Sequence, residues 1–349
     1  MKILLIGGTG TISMAITQKL LENGHEVYLV NRGNRNAGLA AQLSDGSWNR
    51  PKEIRVDIAD ENEAAKQLDG LVFDAAADFI AFKKGQLERD YRLFRGKIKQ
   101  FIFISSAAAY QKPVLDYRIT ESTPQANPYW AYARDKIACE EYLRGLYQDE
   151  GFPITIVRPS HTFDERSVPV GIHGKCGSWQ VLKRMMEGKP VIIHGDGTSL
   201  WTMTHNSDFA AGFIGLLGNS HALGQAVQIM SPESMTWDQI YGVIADELGV
   251  ALHAVHISSE FLAAAGGNLY DFTGSLLGDK ANSVVFDVEK LRRLVPSWMP
   301  QKTMDDGLRE TVRHVKNTPA LHHEDPEFDA WCDKVIEKRK AVLDSLGKA

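Results

Sequence analysis

Cysteine is scarce: Cys139, Cys176 and Cys332 are the three in 349 residues. An odd number with no C-x-x-C spacing provides neither a disulfide framework nor a zinc-ribbon pattern, and fits a reducing compartment. Long apolar runs are missing too. Ile3 to Ile6 is too short for the core of a signal peptide and leads straight into glycines, and no stretch nears the roughly 18 apolar residues of a membrane span. The expectation is a soluble, cytoplasmic protein without a membrane partner. A basic excess is also absent. The net charge is -5, whereas nucleic-acid modules carry a basic face, so nucleic acid is not the expected partner. No repeat or low-complexity tract is present. With 44% hydrophobic and 24% charged residues, the composition is that of an ordinary globular chain about two domains long.

What is present is alternation. Strand-like runs at Lys2 to Ile6, Glu26 to Val30, Leu71 to Ala75, Phe101 to Ser105 and Thr155 to Arg158 are separated by segments of helical spacing. This predicts an α/β fold, a doubly wound parallel sheet of Rossmann type with a smaller C-terminal substrate-binding lobe. Ile12, Ala15, Ile16 and Leu20 line one face of a first helix, closed by Gly24. A long helix is expected from Pro128 to about Gln148, with Gly151 beyond it. After Pro159 glycines mark loops around a helix at Ser178 to Glu187. Asp208 to Gly218 and Ala226 to Ile229 read as a helix and strand returning to the first lobe. The expected division is 1–158 for the dinucleotide-binding domain, with return segments near 203–230. Residues 159–202 and 231–320 then form the substrate lobe, and 321–349 a helical tail. In that tail His322 and His323 read as a surface helix start rather than a metal site.

Gly7-Gly8-Thr9-Gly10-Thr11-Ile12-Ser13 follows a strand and opens a helix, the context a dinucleotide fingerprint requires. Glycine lets the backbone approach a pyrophosphate, and the helix start offers free N–H groups. Ser13 takes the place of the third glycine, so a hydroxymethyl must fit where helix and strand approach most closely. The second strand ends in Asn31 and Arg32, with Arg35 nearby, where an acid would hold the ribose 2′-hydroxyl of NAD. A guanidinium without that acid suits a 2′-phosphate, pointing to NADP with NAD as the alternative. Asp57 reads equally as an adenine contact or a helix cap. Tyr132 and Lys136, four apart in YARDK, share a helix face. They follow a strand ending Ser105-Ser106, and the carboxyl end of a strand is where α/β sheets place their chemistry.

These segments, GGTGTIS, FIFISSAAAY, YARDK, IVRPSHTF and HGDGTSLW leading into HNSDFAAG, resemble the extended short-chain dehydrogenase/reductase family, the group that includes UDP-galactose 4-epimerase. The resemblance spans most of the chain. It implies NAD(P)-dependent oxidoreductase or epimerase chemistry on a secondary alcohol or ketone of a sugar or sugar-like substrate, with Ser106, Tyr132 and Lys136 as the catalytic triad. By position it implies cofactor contacts at Gly7, Gly10, Thr11, Ile12, Asn31, Arg32, Asp57, Ile58, Ala75, Ala76, Lys136 and Pro159. A tyrosine base must fall about 3 pKa units from 10 to work near neutrality, and Lys136 together with the charge of oxidised nicotinamide is expected to supply that.

Departures from the pattern narrow the chemistry. Ala107 and Ala108 stand where dehydratases of the family carry an Asp-Glu pair, which argues against elimination. Trp201 stands where relatives grip a nucleotide diphosphate with arginine, and an indole cannot neutralise phosphate. His161 and Asp164 replace asparagine and glycine in the substrate-facing loop. Ser106, His161 and Trp201 are the expected substrate contacts, and Trp179 and His205 are candidates for the same pocket. Relatives pair as dimers, which implies a homodimer through the helix near Gln86 to Arg95 and the Pro128 helix, with Tyr142, Leu143 and Leu146 as contributors or as internal packing. Some chloroplast proteins of similar outline bind RNA, so a non-catalytic NAD(P)-sensing or RNA-binding role is the competing reading.

Overall fold

Residues 1–33 and 38–347 are described by a computed structural model. Arg35, one of the sequence candidates, lies outside the described residues. Seven strands form the central sheet: β1 (Lys2–Ile6), β2 (Glu26–Asn31), β3 (Lys52–Arg55), β4 (Ala75–Asp78), β5 (Phe101–Ile104), β6 (Ile154–Pro159) and β7 (Ala226–Ile229). Their order is β3-β2-β1-β4-β5-β6-β7, and every neighbouring pair is parallel. This is the Rossmann-type doubly wound sheet that the alternation predicted. The order turns back between β1 and β4, where such sheets open a crevice beyond their carboxyl ends.

The helices that matter here are α1 (Thr11–Glu22), α2 (Glu61–Gln67), α3 (Lys84–Phe94), α4 (Ala131–Glu150), α5 (Trp179–Met186) and α6 (Asn206–Leu216). Side chains alternate along the strands, so each strand feeds two cores. Ile3 and Leu5 pack with Ile16 and Leu20 of α1 and Phe209 and Phe213 of α6. Leu4 and Ile6 face the other way, with Leu87 and Phe94 of α3 and Leu143 of α4. Each such burial contributes about 1.5–3 kcal/mol, and the runs are continuous because both faces are covered.

β4 starts at Ala75 rather than Leu71; before it Phe73 makes only an isolated bridge to Ile98, and the Asp74 carboxylate accepts the Lys2 N–H at 2.8 Å. α4 starts at Ala131 rather than Pro128, because Asn127 Oδ1 accepts from the N–H groups of Tyr129 and Trp130 and holds them in a loop. Leu143 and Leu146 are buried inside the chain, which removes them from any outer face.

A third core gathers residues from Phe163 to Val335, among them Trp237, Tyr241, Phe328 and Trp331. The C-terminal helix Pro326–Leu346 belongs to it. Arg184 of α5, fully buried, pairs with Asp329 and Asp333 of that helix at 2.7 Å each. His322 stacks on Trp179 at 3.5 Å. Among the described residues no cluster of His, Cys, Asp or Glu could hold a metal, and no helix is long and apolar enough to cross a membrane.

Candidate active site

The glycine turn sits at the carboxyl end of β1. Gly7 has φ +79°, a conformation L side chains rarely adopt, and a Cβ on Gly8 would stand 2.6 Å from Leu29. Ser13 is used rather than merely tolerated. Its hydroxyl donates to Gly7 O at 2.7 Å and accepts from Gly10 N at 2.8 Å, stapling the turn to α1. Gly10 caps α1 without offering a side-chain oxygen, and no acid stands in the first turn. The N–H groups there are left for an anion, so these residues fit a dinucleotide pyrophosphate. Two side chains from beyond β6 touch the turn: Arg166 Nη2 lies 3.4 Å from Thr11 Oγ1, and Asn206 Nδ2 donates to Thr11 O at 3.3 Å. Arg166 is held by Asp164, the acid that replaced a glycine. No sequence signal pointed to Arg166.

Around this turn, Arg32 is exposed at the end of β2, and Arg55 lies beside Gly33, its Nε 3.3 Å from where a Cβ would be. Asp57 is neither in a strand nor a helix cap. It accepts from Ala59 N at 3.0 Å in a local turn, while Asp60 caps α2. Ile58 is buried. Ala75 and Ala76 do not reach the crevice: they lie mid-sheet opposite Ile3 and Leu4 with no exposed surface. The residues that β4 delivers to the turn are Asp78 and those after it. A Cβ on Gly7 would stand 2.5 Å from Ile80, and Asp78 fixes the loop by accepting from Ile80 N at 2.6 Å and Ala81 N at 2.7 Å.

That loop continues to the surroundings of Lys136. Lys136 is buried, its Nζ donating to Ala81 O at 2.8 Å and Ile104 O at 2.7 Å, so it ties the β4 loop to the end of β5. Its ammonium stands 4.7 Å from the Phe82 and Phe103 ring centres and 5.8 Å from that of Tyr132. Tyr132, one turn earlier on α4, lies near enough to Ser106 for the serine hydroxyl to act on its phenol. Ser106 Oγ also accepts from Ala108 N at 3.1 Å, capping a short turn at the end of β5. The structure therefore brings Ser106, Tyr132 and Lys136 together at the carboxyl end of β5.

A cavity of about 230 Å³ opens in front of Ser106 and Tyr132, walled by Trp130, Pro159, His161, Trp201, Phe286 and Asp279. His161 and Trp201 were expected there as substrate contacts and Pro159 as a cofactor contact, whereas Trp130 and Asp279 were not expected. Asp279 ends a π-helical stretch, Thr273–Lys280, that no local pattern announced. Trp179 and His205 lie elsewhere. Trp179 packs under His322, and His205 caps α6 through Ser207.

Burial dominates the electrostatics. It pushes the Lys136 pKa down to about 8, with Cys139 and Asp78 pulling back. Burial also raises the Tyr132 hydroxyl, with nearby Ser106 opposing and Asp279 adding to the rise. The expected fall at Tyr132 is thus not supplied by the protein alone, because the Lys136 ammonium is engaged by two carbonyls and the ring sits in an aromatic wall with Trp130 at 4.9 Å. The phenol is a protonated donor near neutrality. His161 is pushed down to about 3 by burial, with Lys280 and His173 adding, so it faces the cavity neutral.

A parallel doubly wound sheet with a glycine turn at its crevice and a Ser-Tyr-Lys cluster beside it defines a dinucleotide-dependent enzyme of short-chain dehydrogenase/reductase type. The chain belongs to the NAD dependent epimerase/dehydratase family, whose model matches residues 3–229, within the extended branch of that enzyme group. A 2'-dehydrokanamycin reductase of Streptomyces kanamyceticus is 24% identical over 298 residues, 85% of this chain and 80% of that protein. The chloroplast stem-loop binding protein of 41 kDa b of Arabidopsis thaliana is 24% identical, across 98% of this chain and 85% of its own length. The UDP-glucuronic acid 4-epimerase of Bacillus cereus, solved with UDP-glucuronic acid and NAD, superposes with a TM-score of 0.69 at 20% identity over 90% of this chain and 99% of that one.

Proposed function

We propose that this enzyme is an NAD(P)-dependent oxidoreductase or epimerase acting on a secondary alcohol or ketone of a sugar or sugar-like polyol, with Ser106, Tyr132 and Lys136 handling the proton. The observation that carries this reading is that Ser106 and Tyr132 line one cavity at the end of β5, with Lys136 buried behind the ring. Gly7, Gly10, Thr11 and Ile12 would hold the dinucleotide at the α1 N-terminus, with Pro159 at the inner end of the crevice. When bound, nicotinamide supplies the hydride donor or acceptor. Ser106 Oγ orients the substrate oxygen, and Tyr132 Oη gives a proton to that oxygen on reduction or takes it on oxidation. Lys136, buried behind the ring, ties the β4 loop to the end of β5 and so fixes the wall from which Tyr132 acts. A protonated phenol suits ketone reduction, and the reductase relative supports the same direction. The test is nicotinamide absorbance over a sugar panel. Turnover with net redox change supports a reductase, turnover without it an epimerase, and bound cofactor with no turnover on any ketose or aldose counts against the reading.

Arg32 and Arg55 at the ends of β2 and β3 support NADP over NAD, although the solved epimerase carries NAD. An Arg32→Ala variant is expected to bind NADP about tenfold more weakly in fluorescence titration with NAD affinity unchanged, the loss typical of one charge-assisted contact. A wild type that binds NAD more tightly than NADP would reverse the assignment.

None of the cavity-lining residues carries a positive charge, since His161 is neutral and Trp201 stands in the wall. This supports a substrate without a diphosphate. UDP and dTDP are therefore expected to leave the melting temperature within about one degree, where a bound ligand at a hundredfold excess over Kd would add about 2.7 kcal/mol. A homodimer through the outer faces of α3 and α4 belongs to the same reading. The stem-loop binding named for one relative is not carried over, because the net charge of -5 offers no counterpart for a phosphate backbone.

A further inference from the structure

Arg166 comes from the segment that leaves β6 for the outer lobe, yet its side chain returns to the glycine turn, where Nη2 lies 3.4 Å from Thr11 Oγ1. Asp164 fixes its pose. Arg166 Nε donates to Asp164 Oδ2 at 2.8 Å, Nη2 donates to the same oxygen, and the Arg166 backbone N–H donates to Oδ1 at 3.0 Å. The pair is neutral as a whole but lopsided: the carboxylate side chain is 3% exposed and the guanidinium side chain 33%. Its negative end is buried and its positive end is open beside the turn. A guanidinium carries five N–H donors in a planar fork. Asp164 occupies the edge made by Nε and Nη2, and Nη1 has no partner among the described residues, so the outer edge, Nη1 with the second Nη2 hydrogen, is left over. Such an edge matches two oxygens of a phosphate. Thr11 is the first residue of α1, whose opening turn has neither a side-chain cap nor an acid. A free guanidinium edge from one lobe and open N–H groups from the other therefore meet at one residue.

We propose that Arg166 is a cofactor-holding residue contributed by the outer lobe: its outer guanidinium edge pairs with the pyrophosphate of the dinucleotide and joins the N–H groups of Thr11 and Ile12 in holding it. This rests on the nicotinamide reading above and adds a residue which that reading left out. The pyrophosphate is common to NAD and NADP, so Arg166 raises the affinity for both alike, whereas Arg32 acts on the 2′-phosphate alone. Asp164 acquires a role as well. By pinning the fork in the folded protein it lets the freedom of a long side chain be lost at folding rather than at binding, which is what pre-organisation contributes to affinity. An arginine present only to neutralise Asp164 would leave the cofactor indifferent to it.

The experiment titrates NAD, NADP and ADP-ribose into the intact protein by calorimetry, for the wild type, Arg166→Gln and Arg32→Ala. Arg166→Gln is expected to weaken all three ligands about tenfold, the loss typical of one charge-assisted contact, while Arg32→Ala weakens NADP alone. The guanidinium edge is open to water, so salt should screen it. Raising the ionic strength from about 0.01 to 0.1 M shortens the Debye length from roughly 30 to 10 Å and should weaken NAD binding more in the wild type than in the Gln variant; a merely structural role would leave the two salt dependences equal. Glutamine can still donate to Asp164, and the double variant Asp164→Asn/Arg166→Gln leaves no buried carboxylate without a partner, so it should show the same tenfold loss. An Arg166→Gln protein that binds NAD like wild type, a loss confined to NADP, equal salt dependences, or affinity restored in the double variant overturns the assignment. Failure of the wild type to bind any of the three ligands overturns the nicotinamide reading, and the assignment with it.

Discussion

Replacing Tyr132 by phenylalanine is expected to lower turnover by a factor of about 10² to 10⁴, the usual contribution of a positioned proton donor, while cofactor affinity stays within about twofold. The variant keeps the ring that Trp130 and Phe82 pack against, at 4.9 and 6.2 Å, and loses only the hydroxyl that faces the cavity beside Ser106. Ser106 still has its contact with Ala108 N, so the turn should persist. Steady-state kinetics beside a cofactor titration separates the effects. Undiminished turnover would remove Tyr132 from the mechanism, and a parallel loss of cofactor binding would mean that the crevice had deformed.

The second large effect is expected from Lys136→Met. The side chain keeps its length but loses two bonds, to Ala81 O and Ile104 O, that join the β4 loop to the end of β5. Charged hydrogen bonds contribute about 1.5–3 kcal/mol each, and relief of the buried charge returns part of this, so a net loss of about 2 kcal/mol in denaturant unfolding is expected, with turnover down about a hundredfold. The pH dependence has a definite sign. The folded pKa, about 8, lies below the ordinary 10.5, so between these values the unfolded chain binds more protons and wild-type stability gains from this lysine as pH rises. The Met variant should lack that gain. Identical slopes for the two proteins would show that Nζ is not a buried cation.

Those two side chains were legible because their spacing on α4 is local, and so was the glycine turn, because a strand-to-helix turn is written in seven consecutive residues. Long-range facts were not. Ala75 and Ala76 lie mid-sheet opposite Ile3 and Leu4, a register set between strands rather than within the run, so it is Asp78 and the residues after it that reach the crevice. Asp279 reaches the cavity from a segment nearly 150 residues after Tyr132, along a π-helical stretch with no periodic signature. Arg166 meets Thr11 only because the chain crosses back over α1. Even the Tyr132 titration followed tertiary burial rather than the neighbouring lysine.

The grip on Thr11 has a structural corollary. Its side chain and carbonyl are touched by Arg166 and Asn206, which flank the long excursion between β6 and α6. The nucleotide module is therefore not a detachable cassette: a fragment ending at residue 160 would retain the GGTGTIS sequence, yet it would lack both braces, the α6 cover over Ile16 and Leu20, and the β7 edge. Transplanting the module into another scaffold would have to carry the later segments along, and swapping the outer lobe between relatives would retune cofactor hold as well as substrate choice.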